Sequence, residues 1–174
     1  MKLIKRNYYL NKIQSVKDIP DIKVITGLRR SGKSKLLDAY ASFLEADTSN
    51  NIIRIPLHLK KYENLRNGNS LYEYIDSQYR SDLNNYLLID EIQMCDGFEE
   101  TINSLHEEER FDIYLTGSNA FLLSSDLATL FRGMVFQIDI YPFSFDEYLL
   151  YYPDIDIDTS FDNYVIEGGM AGSY

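Results

Sequence analysis

The chain has 174 residues, 45% of them hydrophobic, with a net charge of −10 and a pI near 4.6. That composition suits one domain with a real core and excludes wholesale disorder, while the acidic balance opposes non-specific attraction to nucleic acid phosphates. One cysteine, Cys95, excludes an intramolecular disulfide, and with only His58 and His106 beside it no structural zinc spacing exists.

No apolar run approaches the roughly 20 residues of a membrane-spanning helix. Met1-Lys2-Leu3-Ile4-Lys5-Arg6 is basic but lacks the apolar stretch of a secretory signal, so the expected compartment is the cytoplasm. The first strand is predicted over Ile22-Lys23-Val24-Ile25-Thr26, ending at Gly27. A helix follows from about Lys33 to Glu45, with Leu36, Leu37, Tyr40, Phe43 and Leu44 recurring on one face. Ile52-Ile53-Arg54-Ile55 reads as the second strand, and Ser70 with Glu73 as a capping box opening a helix to about Arg80. The third strand, Tyr86-Leu87-Leu88-Ile89, is continuously apolar, as a strand covered on both faces requires. Asp96 and Glu99 resemble another helix cap, with Phe98, Ile102 and Leu105 facing the core.

Ile113-Tyr114-Leu115-Thr116 is the fourth strand and runs into Gly117-Ser118-Asn119. The fifth alternates, setting Met134, Phe136, Ile138 and Ile140 against Val135, Gln137 and Asp139, which suits a strand near a sheet edge. Ser144 and Glu147 cap a short helix through about Tyr151, and Pro153 to Asp158 reads as an acidic linker. Strands alternating with helices in this way define an α/β protein with a mostly parallel sheet.

Gly27-Leu28-Arg29-Arg30-Ser31-Gly32-Lys33-Ser34 fits G-x-x-x-x-G-K-[ST], the Walker A pattern, between a predicted strand and a predicted helix. Its glycines let consecutive backbone N–H groups surround phosphates, and the helix N-terminus adds a favourable dipole. Lys33 reaches the β- and γ-phosphates and the Ser34 hydroxyl ligates magnesium; Lys35 completes the nucleotide-binding stretch. Leu87-Leu88-Ile89-Asp90-Glu91 fits Walker B. Asp90 holds magnesium through its water shell, and Glu91 orients the attacking water as a general base. ATP or ADP with Mg2+ is therefore the expected ligand. Asn119, with Ser118 in reserve, stands where a polar side chain can contact the γ-phosphate. Arg132 is the candidate for stabilising charge on the transferring phosphate, while Arg29 and Arg30 are read as solvent or partner contacts.

In this order the motifs resemble the prokaryotic AAA-type ATPases that carry a C-terminal domain of unknown function. The resemblance includes Ile4-Lys5-Arg6 with Tyr8-Tyr9, the two Walker segments, and Glu91-Ile92-Gln93. It continues through Thr116-Gly117-Ser118-Asn119-Ala120, Tyr141-Pro142-Phe143-Ser144-Phe145-Asp146-Glu147-Tyr148 and Gly168-Gly169-Met170. It implies an ATPase core of the additional-strand class, a three-layer α/β/α sandwich with strand order 5-1-4-3-2, and places Lys5 to Tyr9 close to the adenine. The family usually shows an arginine after the glycine matching Gly133, where this chain has Met134. The expected division is an ATPase core over 1–152, then a linker and the start of a truncated C-terminal part over 153–174.

Two functions follow: an ATPase whose hydrolysis drives a conformational change, or a nucleotide-binding regulatory module with negligible turnover. A small-molecule kinase is disfavoured because Glu91 suits water activation, and a GTPase because no Asn-Lys-x-Asp motif follows the loop. A protein client or a homo-oligomer is the expected partner, and nucleic acid enters by family analogy alone.

Overall fold

The computed structural model describes residues 6–117 and 127–169. Five parallel strands form one sheet: β1 (Ile22–Gly27), β2 (Asn50–Pro56), β3 (Asn84–Asp90), β4 (Asp112–Thr116) and β5 (Val135–Ile140). Their order is β2-β3-β4-β1-β5, the predicted one. The helices are α1 (Asn7–Ser15), α2 (Lys33–Leu44), α3 (Gly68–Gln78), α4 (Phe98–Glu107), α5 (Leu127–Leu130), α6 (Phe145–Tyr151) and α7 (Ile157–Glu167).

Alternation of side chains along each strand divides the core in two. Val24, Ile53, Ile55, Leu87, Ile89, Ile113 and Leu115 pack with Leu71 and Ile75 of α3 and with Phe98, Ile102 and Leu105 of α4. On the other face Ile25, Leu88, Tyr114, Ile138 and Ile140 meet Ile13 of α1 and Leu36, Leu37, Tyr40 and Leu44 of α2. Helices on both faces of a parallel sheet make the three-layer sandwich, and explain why β1, β3 and β4 lack the polar alternation of a one-sided sheet.

Three local expectations are corrected. The α3 cap is Asn67, three residues before Ser70; its side-chain oxygen accepts from the N–H groups of Asn69 and Ser70 at 3.1 and 3.4 Å, and the helix ends at Gln78. The α4 cap is Gly97 at φ 75°, because Asp96 is bound elsewhere. Its N–H donates to the Arg66 carbonyl and its carbonyl accepts from Gly68, at 3.1 and 2.8 Å. This crossing brings α3 and α4 so close that a Cβ at position 68 would stand 2.7 Å from Thr101 Oγ1. Third, the stretch read as an acidic linker contains the start of a helix: Asp156 caps α7 by accepting from the Thr159 N–H at 3.0 Å. The cap predicted for α6 is present, Ser144 and Glu147 forming a complete capping box.

In β5, at the sheet edge, Ile138 and Ile140 are buried while Gln137 and Asp139 are exposed. Met134, expected on the inward set, precedes the strand and is exposed.

Cys95 is 2% exposed, and burial pushes its thiol up to about 11. At neutral pH only roughly one thiol in ten thousand is then ionised. Modification by a thiol reagent in the native state is expected to be slow and to accelerate sharply in denaturant, measured as the rate of colour release.

Candidate nucleotide-binding site

The C-terminal ends of β1, β3 and β4 converge on the loop that enters α2. Gly27 lies under this loop, where a Cβ would strike the Ile140 carbonyl of β5 and stand 2.9 Å from Ser31 Oγ. Arg30 at φ 67° and Gly32 at φ 97° turn the loop through the left-handed region, and Ser31 N–H closes it on the Leu28 carbonyl at 3.1 Å. Among the described residues no side chain caps α2, so its first amides keep the donor capacity of a helix N-terminus. The side chains of Leu28, Arg29 and Arg30 are exposed.

Lys33 is buried and its ammonium donates to the Gly27 and Leu28 carbonyls, both at 2.9 Å. Burial lowers its pKa, and the neighbouring Glu91 and Asp90 carboxylates oppose that shift. Ser31 Oγ is buried without a hydrogen-bond partner among the described residues. A cradle of this shape, with a buried cation and an orphaned hydroxyl, fits a phosphate. Lys35, one turn on, is exposed and pairs with Asp38 at 3.6 Å.

Asp90 ends β3 and is 5% exposed. Its Oδ1 accepts from Ser34 Oγ at 3.0 Å and from Thr116 Oγ1 at 2.5 Å, while His58 Nδ1 lies 3.2 Å from Oδ2. Ser34 and Asp90, the predicted magnesium pair, are thus adjacent hard oxygen donors, a set that suits magnesium. Thr116 Oγ1 also accepts from the Glu91 N–H at 3.0 Å, tying the ends of β3 and β4 together. Glu91 itself sits at φ 60°, and its carboxylate accepts from the Gln93 amide. A non-glycine residue held in this region is strained, and such strain clusters at functional sites.

Of the remaining predicted residues, one is undescribed and one stands apart. Asn119 lies outside the described residues, as does its reserve Ser118. Arg132 sits before β5, whose register pairs Ile22 with Val135 and Gly27 with Ile140. Five strand residues at about 3.3 Å each put it more than roughly 16 Å from the loop, at the opposite end of the sheet. It is exposed there and pairs with Glu107. Arg132 therefore does not reach phosphates bound to its own chain, which corrects any role for it in cis.

Two residues not singled out for the site belong to its frame, Thr116 and His58, and so does Arg6, from the stretch expected beside the adenine. Buried Arg6 donates from Nη1 to the Ser31 carbonyl of the loop at 2.9 Å. Its other nitrogens bind both Glu147 oxygens, at 2.8 and 2.9 Å, and the Tyr141 carbonyl at 2.9 Å. Lys5 is outside the described residues. A cleft of ≈ 330 Å³ beside the loop is lined by Ser34, Asp38, Arg54, His58 and Asp90 among others. A larger one of ≈ 490 Å³ opens at the opposite end of the strands, beside Asp18, Tyr86 and Asp112, and shares none of the phosphate-binding residues.

Fold and site define a P-loop nucleotide-binding domain of the additional-strand class. Residues 20–149 match the family model described as AAA domain, and the chain belongs to that family. It is an AAA-type ATP-binding domain. An uncharacterized protein of Haemophilus influenzae is 40% identical over 150 residues, covering 84% of this chain and 38% of its own length. An uncharacterized protein of Methanocaldococcus jannaschii is 29% identical over 168 residues, covering 86% and 33%. The chain thus spans about a third of the length of these relatives. Among solved structures, AMPPCP-bound DnaA from Aquifex aeolicus superposes with a TM-score of 0.64 at 17% identity, over 99% of this chain and 59% of that one. The Aeropyrum pernix Orc1 protein in complex with DNA gives 0.63 at 13% identity, over 93% and 50%. At such identities the likeness is one of fold. Among the described residues no helix is long and apolar enough to cross a membrane.

Proposed function

We propose that the chain binds Mg-ATP in the loop over α2 and hydrolyses it, the free energy being passed to a conformational change in a larger protein. The observation that carries this reading is the continuous link Ser34–Asp90–Thr116–Glu91, which joins the phosphate loop to the ends of β3 and β4. Lys33 would release its two carbonyls and take phosphate oxygens, and the loop amides would bind the remainder. Ser34 and Asp90 would hold the magnesium ion, which supplies charge stabilisation at the transferring phosphate. Glu91 is the group that would take a proton from the attacking water. Asn119, three residues beyond β4 in the sequence, is proposed to contact the γ-phosphate or that water.

At the loop's own end of the sheet, Arg54 lines the cleft beside Ser34 and Asp90 but is paired with Asp38. Arg132, at the far end of β5, is proposed to serve a second copy of the chain, which makes a homo-oligomer the working partner. A protein client stands beside it. Contact with nucleic acid rests on analogy with the Orc1 protein that was solved with DNA, and a net charge of −10 opposes it. The core of this reading runs over 1–152; 153–174, with α7, opens a second part. The compartment is proposed to be the cytoplasm.

A second reading, a nucleotide-binding module with negligible turnover, is favoured by one contact: the Gln93 amide occupies a Glu91 oxygen. Glu91→Gln separates the two. Under the first reading it keeps nucleotide affinity and lowers phosphate release by about 100-fold or more. Under the second, wild type and variant release phosphate at the same negligible rate.

A further inference from the structure

We propose that His58 is a donor at the metal position of this site, and that it shifts the site's preference from magnesium toward manganese-class ions. The inference rests on the nucleotide reading above.

The position of His58 is fixed by its neighbours. β2 runs beside β3 with Pro56 opposite Asp90, and the Leu57 N–H donates to the Asp90 carbonyl at 3.1 Å. Leu57 is fully buried in the core, whereas the His58 side chain is 45% exposed and lines the cleft with Ser34, Asp38 and Asp90. The backbone bond thus anchors the turn so that an imidazole stands next to the Walker B carboxylate.

The separations have a chemical meaning. His58 Nδ1 lies 3.2 Å from Asp90 Oδ2, and Ser34 Oγ lies 3.0 Å from Asp90 Oδ1. Adjacent ligands of an octahedral ion with bonds of about 2.0–2.2 Å are about 3 Å apart, so each pair has the spacing of neighbouring donors, His58 beside one oxygen of Asp90 and Ser34 beside the other, and one cation meets both pairs when Asp90 binds through both oxygens. Magnesium favours oxygen ligands and retains its waters, whereas first-row divalent ions accept a nitrogen donor with affinity that rises from manganese through cobalt to nickel. Among the described residues, no cluster of three or more His, Cys, Asp or Glu side chains could hold a metal alone. Nucleotide phosphates and water are the ligands left to complete the shell, which makes the site's metal affinity depend on nucleotide.

The test uses a fluorescent ADP analogue titrated into the full chain and into His58→Ala and His58→Asn, each with manganese, magnesium or EDTA. The expected result is a manganese-over-magnesium affinity ratio that falls about tenfold in His58→Ala, with the EDTA affinity unchanged. Electron spin echo of the manganese–ADP complex is expected to show modulation from a directly bonded nitrogen in wild type and none in His58→Ala. An unchanged ratio together with no nitrogen signal in wild type overturns the proposal. Equal losses with manganese, magnesium and EDTA also overturn it, since they mean a structural role. If wild type binds the analogue under none of the three conditions, the nucleotide reading itself falls and this proposal with it.

Discussion

Lys33→Ala is expected to abolish the thermal stabilisation that Mg-ATP confers on the wild-type chain. At about 100 times its dissociation constant a ligand adds roughly 2.7 kcal/mol to the native state. For a chain of this size that is a rise in Tm of roughly 5–10 °C. Lys33 is the buried cation of the loop, and its partners in the structure are two backbone carbonyls, which give acceptors to two of its three protons but no charge to balance it. Phosphate oxygens would supply both. The apo variant is expected to unfold within a few degrees of wild type, because the lost hydrogen bonds are offset by removal of a desolvated ammonium.

The lowered pKa of Lys33 fixes the sign of a second effect. A lysine whose folded pKa lies below its unfolded value binds fewer protons in the native state. The apo protein should therefore gain stability as pH rises through the window between the two. That gain should be missing in Lys33→Ala, and it should shrink when phosphates hold the ammonium charged. Calorimetry across the alkaline range, with and without nucleotide, measures both. A variant that kept the full Mg-ATP shift would show that nucleotide binds elsewhere on the molecule.

The parts of the site that were legible in the sequence are those in which neighbours in the chain are neighbours in space. The loop from Gly27 to Ser34 closes on itself, with Ser31 bonded to Leu28 and Lys33 to Gly27, so its pattern survives as a contiguous string. Asp90 and Glu91 were found for the same reason, at the end of an unbroken apolar strand. Thr116, His58 and Arg6 come from distant segments, and only the register that sets Pro56 beside Asp90 brings His58 to the carboxylate. Arg132 illustrates the converse. Its nearness in sequence to Gly133 and β5 gave no clue to which end of a parallel strand it occupies, and the wrong end removes it from its own site. The misplaced caps have a local cause: Ser70 and Glu73 match a capping box as well as Asn67 does a simple cap, and only the approach of α4 at Gly68 decides between them. Helix α7 escaped because alternating Ile155-Asp156-Ile157-Asp158 hides its start, and because Ile157, Phe161 and Val165 are exposed rather than buried.

Arg6→Ala is expected to lower stability by about 3 kcal/mol, a fall in Tm on the order of 10 °C. The guanidinium is 6% exposed and its two-oxygen contact with Glu147 spans 141 residues. Its remaining bonds hold the Ser31 and Tyr141 carbonyls, and its plane lies 4.4 Å from the Tyr9 ring centre and 5.0 Å from that of Phe143. One side chain thus joins the segment before α1, the phosphate loop, the end of β5 and the cap of α6. Truncation leaves Glu147 ionised and partly desolvated, which accounts for most of the loss. Arg6→Ala combined with Glu147→Gln is expected to recover a part of it, because the unpaired charge is gone. Arg6→Lys should recover little, since an ammonium cannot reproduce a planar fork that binds two oxygens and a carbonyl at once. Because the same guanidinium fixes the Ser31 carbonyl, nucleotide affinity should fall as well. It should stay low in the double variant even where stability is recovered. Chemical denaturation of the four proteins, read alongside nucleotide titration below their melting range, separates the two effects. Affinity that recovered in step with stability would make Arg6 a strut of the fold with no hold on the loop.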